Sequence, residues 1–463
     1  MDLWDSVQHN LYIQKQVINH TPKGLKRNSM KKIFLPLIAI CAIFSSCKES
    51  IDSIINAEEV ERIERILASD EMEGRRTFTP GIDKAADFIA EDFKSSGLEF
   101  FGENDSYFQH ITMIQASANT ISGKFGKESL NTSNVVANTT AAEINIESLD
   151  GYTVVVITKE DNLFQKAFPL TRRAENIIVL IDEAHKKNFA RMPRLVGRAK
   201  FPSKFSQIFI LTKNVKATSI ALNIKNTLKE QKLKNVVGVI PGKSKKDEYV
   251  VFGGHYDHLG IGKPDKNKDS IFNGANDDAS GTTAVMMLAK YFNKVKNNER
   301  TLVFVAFTAE EMGGFGSKYF SKQLNPDKVM AMFNIEMIGT ESKWGTNSAY
   351  ITGFERSDMG KILQKNLSGS KFRFEPDPYP KQNLFYRSDN ATLAELGVPA
   401  HTIATAKMDE KPNNEPNYHK QSDEIETLDM VNMAEIIKSI ALSSKTIISG
   451  ADTPTRVTLP KRQ

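Results

Sequence analysis

Apolar side chains recur at helical spacing in two stretches between residues 57 and 97. Their apolar positions are Val60, Ile63, Ile66 and Leu67 in the first stretch, then Ala86, Ile89, Ala90 and Phe93 in the second. A loop with a Gly-Arg-Arg and a Pro-Gly sequence separates the two stretches. Since residues three and four positions apart share one helix face, the pattern predicts two amphipathic helices.

From about residue 115 to residue 232, the pattern changes to short runs rich in β-branched residues, such as YTVVVIT, NIIVLID and QIFILTK. Polar and basic loops separate these runs, as is typical of consecutive strands. The change in texture predicts a separate, strand-rich module inserted at residues 115–232.

Beyond KNVVGVIPG, apolar strand-like runs alternate with helical patterns, as in a layered α/β domain. Three runs stand out: EYVVFGG before His255, RTLVFVAFTA before Glu310, and VMAMFNIE ending on Glu336. Between the first two, SGTTAVMMLAKYFNKVK has helical spacing, and Ser280 is placed to cap its start. The order is therefore strand, helix, strand.

Polar residues stand at the ends of all three strands. His255 and Asp257 follow the first strand, Glu310 and Glu311 follow the second, and Glu336 closes the third. In open α/β sheets, ligands bind outside the carboxyl ends of the strands. The pattern therefore predicts that these side chains converge on one site.

Two further loops carry candidate ligands. NGANDDASG places Asp277 and Asp278 before the helix, where carboxylates can turn inward, although such residues are also common helix caps. His419 lies in the polar loop NYHKQSDEIETLD. The adjacent Glu310 and Glu311 point in different directions, so that one can bind a metal while the other acts as general base.

The composition narrows the chemistry. The chain has 463 residues, of which 40% are hydrophobic, as expected for a globular protein of two or three domains. Its 61 Lys and Arg residues nearly balance 56 Asp and Glu residues, so the net charge of +5 gives no sign of a nucleic-acid partner. The two cysteines, Cys41 and Cys47, lie near the amino terminus, which restricts a metal site in the later domains to His, Asp and Glu. These ligands suit hydrolytic zinc, manganese or cobalt.

The segment MKKIFLPLIAICAIFSSCKES has the pattern of a secretory signal peptide. Its apolar run is too short to span a bilayer as a helix. Small residues before Cys47 resemble the lipobox of bacterial lipoproteins, in which a cysteine at the cleavage site receives lipid. We expect translation to start at Met30, with residues 1–29 upstream of the true start and residues 30–47 as the signal. The predicted product is a lipoprotein on the exported side of the cell envelope.

The motifs HxD, ND, EE, NIE followed by MIG, and YH occur in this order between about Asn235 and Leu428. In this respect the chain resembles the M28 family of co-catalytic zinc peptidases. The resemblance implies a three-layer α/β/α sandwich with a mixed central sheet and an insert similar to the protease-associated domain. The domains it implies after the signal are an amino-terminal helical part at residues 48–114, the insert at 115–232, the catalytic domain at 233–448 and a tail at 449–463.

Residue by residue, the resemblance implies that Asp277 bridges two divalent ions, most simply Zn²⁺. His255 and Glu336 would complete one site, and Glu311 and His419 the other. Glu310 would be the general base. The further roles considered are Asp257 as acceptor for the second ring nitrogen of His255 and His258 as a structural residue.

Two positions leave alternatives open. Glu336 stands where the family more often has Asp, which leaves the metal preference undetermined. Tyr418 corresponds to a tyrosine that in some relatives donates to the tetrahedral oxyanion, and an aromatic packing role is equally compatible with the sequence. The segment at residues 385–403, which includes Asp389, resembles part of the family's substrate pocket.

The function implied is an exported aminopeptidase that cleaves peptides with metal-activated water. Alternatives on the same scaffold are a carboxypeptidase, for which Arg356 or Arg387 would hold the substrate carboxylate, and a glutaminyl cyclase with a single zinc. A peptide-binding relative without catalysis, as in the transferrin receptor, is the alternative of a different class. Peptides are the expected partners, the membrane is reached only through the lipid anchor, and nothing in the pattern selects an oligomeric state.

Overall fold

The computed structural model describes residues 50–408 and 415–458. The predicted upstream segment, the signal peptide and Cys47 lie outside the described residues, as does the end of the predicted tail. Within the described part of the chain, no helix is both long enough and apolar enough to cross a membrane.

The described strands are β1 (Glu99–Phe100), β2 (Phe108–Phe125), β3 (Glu128–Leu130), β4 (Val135–Asn138), β5 (Glu143–Ile146), β6 (Thr153–Ile157), β7 (Ile177–Asp182), β8 (Gln207–Thr212), β9 (Ile220–Ile240), β10 (Lys245–His255), β11 (Gly260–Ile261), β12 (Ile271–Phe272), β13 (Arg300–Phe307), β14 (Val329–Ile335), β15 (Ser348–Ile351), β16 (Arg373–Pro376) and β17 (Ala400–Ala404). The described α-helices are α1 (Ile51–Ile54), α2 (Ala57–Leu67), α3 (Pro80–Ser95), α4 (Leu163–Leu170), α5 (Lys186–Phe189), α6 (Met192–Val196), α7 (Ser280–Val295), α8 (Phe315–Phe320), α9 (Met359–Leu367), α10 (Asn390–Ala394), α11 (Met430–Ser443) and α12 (Lys445–Ile448).

The two predicted amphipathic helices are confirmed as α2 and α3. Asn56 begins α2 by accepting a hydrogen bond from the Glu59 amide at 3.0 Å. Pro80 occupies the first turn of α3, where a missing N–H costs no hydrogen bond. Both predicted apolar stripes face the main core, where Ile63 and Phe93 are buried.

The central sheet is mixed, with the strand order β16-β15-β17-β14-β10-β13-β9-β2-β3. Strand β10 lies between β13 and β14 and is parallel to both. The carboxyl ends of these three strands therefore meet at one edge of the sheet. The prediction that their terminal polar residues converge depends on this arrangement, and the strand order satisfies it.

Successive side chains of a strand point to opposite faces of the sheet, so they pack into two different hydrophobic cores. Phe252 packs with α7 and α11 residues in the larger core, whereas Val251 belongs to the core under α8 and α10. Helices thus cover both faces of the sheet, and the predicted three-layer α/β/α class is confirmed.

The predicted module at 115–232 has no linker at either boundary. Strands β2 and β9 pair in antiparallel fashion from Phe108 opposite Val236 to Phe125 opposite Ile220. Residues 115 and 232 therefore both lie inside strands. A second sheet with the order β4-β8-β7-β6 is built from the chain between these two arms.

The predicted cap at Ser280 is wrong. Helix α7 starts at this residue, and the Gly281 amide donates to Asp278 Oδ1 at 3.0 Å. The Ser280 hydroxyl instead donates to the Asn276 carbonyl at 2.8 Å and accepts from the Ile338 amide at 3.0 Å. Asp278 therefore caps the helix, and Ser280 ties the loop to the chain after β14.

Candidate metal centre

One group of ligand atoms forms at the end of β10. His255 Nε2 lies 3.3 Å from Asp277 Oδ1 and 3.4 Å from Glu336 Oε1. His255 and Asp277 are almost fully buried. Ser388 Oγ donates a short hydrogen bond to Glu336 Oε2 and accepts one from Asn334 Nδ2 at 2.7 Å. The longer glutamate side chain is therefore held in place through its second oxygen.

A second group forms on the other side of Asp277. His419 Nε2 lies 3.1 Å from Asp277 Oδ2 and 3.1 Å from Glu311 Oε1. The two oxygens of Asp277 thus face different histidines. This is the geometry required of a carboxylate that bridges two ions.

His258 belongs to the second group and was missed as a site residue by the sequence reasoning. Its Nδ1 atom lies 3.1 Å from Glu311 Oε1 and 3.9 Å from Asp277 Oδ2. The signal in the sequence was a further histidine directly after the HxD motif. The sequence predicts a structural role for His258, because no pattern in it shows that the chain turns this ring toward Glu311.

Asp257 acts differently from the prediction. His255 Nδ1 makes its hydrogen bond, 3.0 Å long, to the main-chain carbonyl of Asp257. The Asp257 carboxylate accepts instead from the amides of Glu310 at 2.9 Å and Glu311 at 3.3 Å. Asp257 therefore orients the histidine through its backbone and both glutamates through its side chain.

Glu310 lies beside these groups and is partly buried. Burial, reinforced by the negative charges of Glu336, Asp389 and Asp257, raises the pKa of Glu310 well above its usual range. A carboxylate with a raised pKa is a stronger proton acceptor. The role of Glu310 as general base stays a prediction.

Asp278, which the sequence offers as a candidate ligand or helix cap, and Asp423, to which it gives no role, hold the Asp277 loop. Asp278 accepts from the Met337 amide at 3.0 Å and from the His255 amide at 3.2 Å. Asp423 accepts from the amides of Asn276 at 2.9 Å and Asp277 at 3.0 Å. Their oxygens are thus engaged by main-chain donors, and they position the ligands.

The Arg75 side chain connects the loop that follows His255 with the loop that carries Asp277. Its fully buried guanidinium donates to the carbonyls of Tyr256 and Gly274 at 2.8 Å each, and to those of Leu67 and Asn273 at 2.6 Å each. Tyr256 directly follows His255, and Gly274 opens the turn that carries Asp277. One side chain therefore fixes the relative position of two ligand-bearing loops.

Tyr418 and Asp389 both lie near the centre. The Tyr418 ring stacks on His419 with the ring centroids 3.9 Å apart and the planes inclined by 21°. Asp389 is buried, and neither of its oxygens has a hydrogen-bond partner among the residues that the structure describes. Burial raises the pKa of Asp389 to about 6. The stacking fixes the Tyr418 ring and leaves its oxyanion role a prediction.

The residues at the edge of the sheet fit divalent cations. Asp277 Oδ2, Glu311 Oε1 and both ring nitrogens of His258 are buried and have no hydrogen-bond partner in the described part of the chain. Buried polar atoms are seldom left unpaired, and a cation would satisfy the oxygens and the facing nitrogen. Imidazole and carboxylate donors without thiolate are those of hydrolytic zinc sites.

The fold and this cluster define a histidine–carboxylate metal centre on a mixed α/β sheet. Residues 235–443 match the model of Peptidase family M28. The predicted resemblance is therefore confirmed.

Relatives support the same assignment. A "Probable zinc metalloprotease" of Pyrenophora teres f. teres is 35% identical over 155 residues, which are 32% of this chain and 32% of that protein. "Aminopeptidase YwaD" of Bacillus subtilis is 25% identical over 201 residues, 42% of this chain and 40% of that protein. The chain thus spans well under half the length of either protein.

A solved structure described as "BSAP, a zinc aminopeptidase from Bacillus subtilis" shares the fold. The TM-score is 0.50 at 15% sequence identity, and the alignment covers 88% of this chain and 99% of that one.

We predict that Arg75→Met destabilises the protein by about 3 kcal/mol or more, because buried carbonyl groups lose their donors. The variant should also bind metal more weakly, since the loops of His255 and Asp277 lose their common support. Urea unfolding of the metal-free protein measures the first effect. The control is Arg65→Met on the exposed surface of α2, where the ion pair with Glu61 is solvated. Equal unfolding midpoints for the two variants would contradict the role given to Arg75.

Proposed function

We propose that the chain is an aminopeptidase that removes the amino-terminal residue of peptides at a centre of two divalent ions, most simply zinc. The observation that carries the proposal is the division of the Asp277 carboxylate between His255 and His419. A carboxylate that serves one ion has no need of histidines on both of its oxygens. Two ions bring +4, which the three carboxylates of Asp277, Glu311 and Glu336 offset only in part.

The ions, when bound, would polarise the scissile carbonyl and lower the pKa of water. His255 and Glu336 would hold one ion, Glu311 and His419 the other, and Asp277 both. Glu310 would take the proton of the attacking water and deliver it to the leaving amine. Tyr418 would donate a hydrogen bond to the developing oxyanion.

Two cavities adjoin the centre and differ in character. One lies beside Glu336 and has a largely apolar lining that includes Tyr350, Leu384 and Met408. The other has a volume of about 450 Å³ and reaches from His258 and Glu311 to Arg76 and Arg198. We assign the apolar cavity to the residue that is removed and the larger one to the rest of the peptide.

One observation favours a carboxypeptidase as a second candidate. Arg387 also lines the apolar cavity, is exposed, and forms no ion pair with the described residues. Its guanidinium is suited to a carboxylate. In a carboxypeptidase, this cavity would therefore hold the carboxyl-terminal residue, and the peptide would run in the opposite direction.

We predict that free and blocked peptides separate the two candidates. If the chain is an aminopeptidase, acetylation of the substrate amine should abolish cleavage, and amidation of the far carboxylate should leave it nearly unchanged. A carboxypeptidase should show the reverse pattern. Mass spectrometry of the products of one peptide in its free, acetylated and amidated forms reads the outcome directly.

We predict that Glu310→Gln lowers kcat roughly 10²–10⁴-fold, because the amide cannot accept the proton of water. The amide keeps the size of the side chain, so the metal content should not change. Turnover of amino-acid nitroanilides, with metal analysis of the same samples, tests this. Near-normal turnover with both ions bound would contradict the mechanism. A content of one zinc per chain would favour a cyclase, and peptide binding without hydrolysis in the unaltered protein would favour a non-catalytic relative.

We further propose that the protein is exported and anchored by lipid at Cys47, from the signal-like pattern before that residue. Cys47→Ser should abolish incorporation of labelled fatty acid and leave the protein in its longer, uncut form. Labelling of cells expressing the two forms, followed by electrophoresis, measures both effects. Unchanged labelling of Cys47→Ser would refute the anchor, and Cys41→Ser provides the matched control.

A further inference from the structure

His258 is a buried histidine whose role the bridging arrangement of Asp277 leaves unexplained. Its side chain is enclosed, and neither ring nitrogen has a hydrogen-bond partner among the described residues. A neutral imidazole carries one donor and one acceptor, and burying both unpaired is costly. The ring therefore requires a partner that protein atoms do not supply.

The position of Nδ1 indicates what that partner is. Glu311 Oε1 lies 3.1 Å from His258 Nδ1 and also 3.1 Å from His419 Nε2. The centroids of the two imidazole rings lie 5.8 Å apart and their planes are inclined by 67°. The rings are therefore not stacked, and each presents a nitrogen to the same carboxylate oxygen.

The distances match those between ligands of one small cation. Donor atoms about 2.0–2.1 Å from zinc in a tetrahedral site lie roughly 3.3 Å from one another. The separations in this group are 3.1 Å for three pairs and 3.9 Å for His258 Nδ1 to Asp277 Oδ2. A hydrogen bond from His258 to Glu311 explains them less well, because both atoms remain without an aligned hydrogen-bond partner.

We propose that His258 is the fourth protein ligand of the ion held by Asp277, Glu311 and His419. That site then has two imidazole and two carboxylate ligands. All four positions of a tetrahedral ion are occupied by protein atoms, as at structural zinc sites. The site of His255, Asp277 and Glu336 has three ligands and keeps an open position. The two sites thus differ in their number of protein ligands. This inference rests on the two-ion arrangement proposed above.

A functional consequence follows from this asymmetry. The four-ligand site should fill first and resist chelators, whereas the three-ligand site should exchange its ion readily. Loss of one ion would then leave the His258 site loaded and the His255 site empty. Activity would depend on the availability of metal through the weaker site alone.

The decisive experiment uses the unaltered full chain, stripped of metal and reloaded with one equivalent of zinc. X-ray absorption at the zinc edge counts the imidazoles bound to the ion. Two imidazoles per zinc are expected if His258 and His419 bind the same ion. One imidazole per zinc would overturn the proposal.

A second measurement uses His258→Cys loaded with cobalt. A thiolate in direct contact with Co²⁺ gives a charge-transfer band in the near ultraviolet, and a residue that merely orients Glu311 gives none. His110→Cys, at an exposed position on β2, is the matched control, and circular dichroism checks the folding of both variants. A folded His258→Cys protein without the band, under cobalt saturation, would refute direct binding.

Metal titration links the result to the asymmetry. The unaltered protein should bind Co²⁺ in two separated steps, and His258→Asn should weaken the tighter step by roughly 100-fold or more, above what loss of an outer hydrogen-bond partner usually costs. An unaltered protein with two imidazoles per zinc but no peptidase activity would refute the proposed function and leave this inference standing. An active enzyme with one imidazole would do the opposite.

Discussion

The buried guanidinium of Arg75 is the contact on which the centre depends. It donates to carbonyls at the end of α2, after β10 and before α7, so three separate segments of the chain meet on one planar group. The main-chain carbonyl of Arg75 in turn accepts from the His258 amide at 3.2 Å. Nearby Glu64 is fully enclosed, and burial raises its pKa to about 8, so it is largely uncharged at neutral pH. The Arg75 guanidinium donates its hydrogen bonds to main-chain oxygens and not to the Glu64 carboxylate.

The carboxylates around the centre divide into two kinds by the atoms that they face. Asp257, Asp278 and Asp423 accept from main-chain amides and hold loops in place. Asp277 and Glu311 each keep a buried oxygen that has no hydrogen-bond partner among residues 50–408 and 415–458. Main-chain amides thus hold the carboxylates of Asp257, Asp278 and Asp423 in place. The oxygens of Asp277 and Glu311 can bind cations. Several acidic side chains can therefore lie close together at one edge of the sheet while only some of them offer an oxygen to a metal ion.

Local patterns were sufficient for the helices and strands, because periodicity reports which face of an element is buried. They also placed His255, Glu311 and Glu336 at strand ends, and parallel pairing brings those ends together. Non-local contacts were beyond the reach of pattern. Asp423 supports Asp277 from 146 residues away, and nothing in its neighbours signals this. His258 and Asp278 were misjudged or passed over for the same reason, since each role depends on a loop placed by another part of the chain.

Strand β9 connects the insert to the central sheet. This strand pairs with β13 in the central sheet and with β2 in the arm of the insert, so the two parts share one rigid element. The segment between α6 and β8 packs against the loop before α8, because Ala199 and Phe201 lie in one apolar cluster with Ala309 and Phe315. Arg198 is thereby held at the wall of the cavity that reaches Glu311. A hinge motion of the insert would have to open this apolar contact.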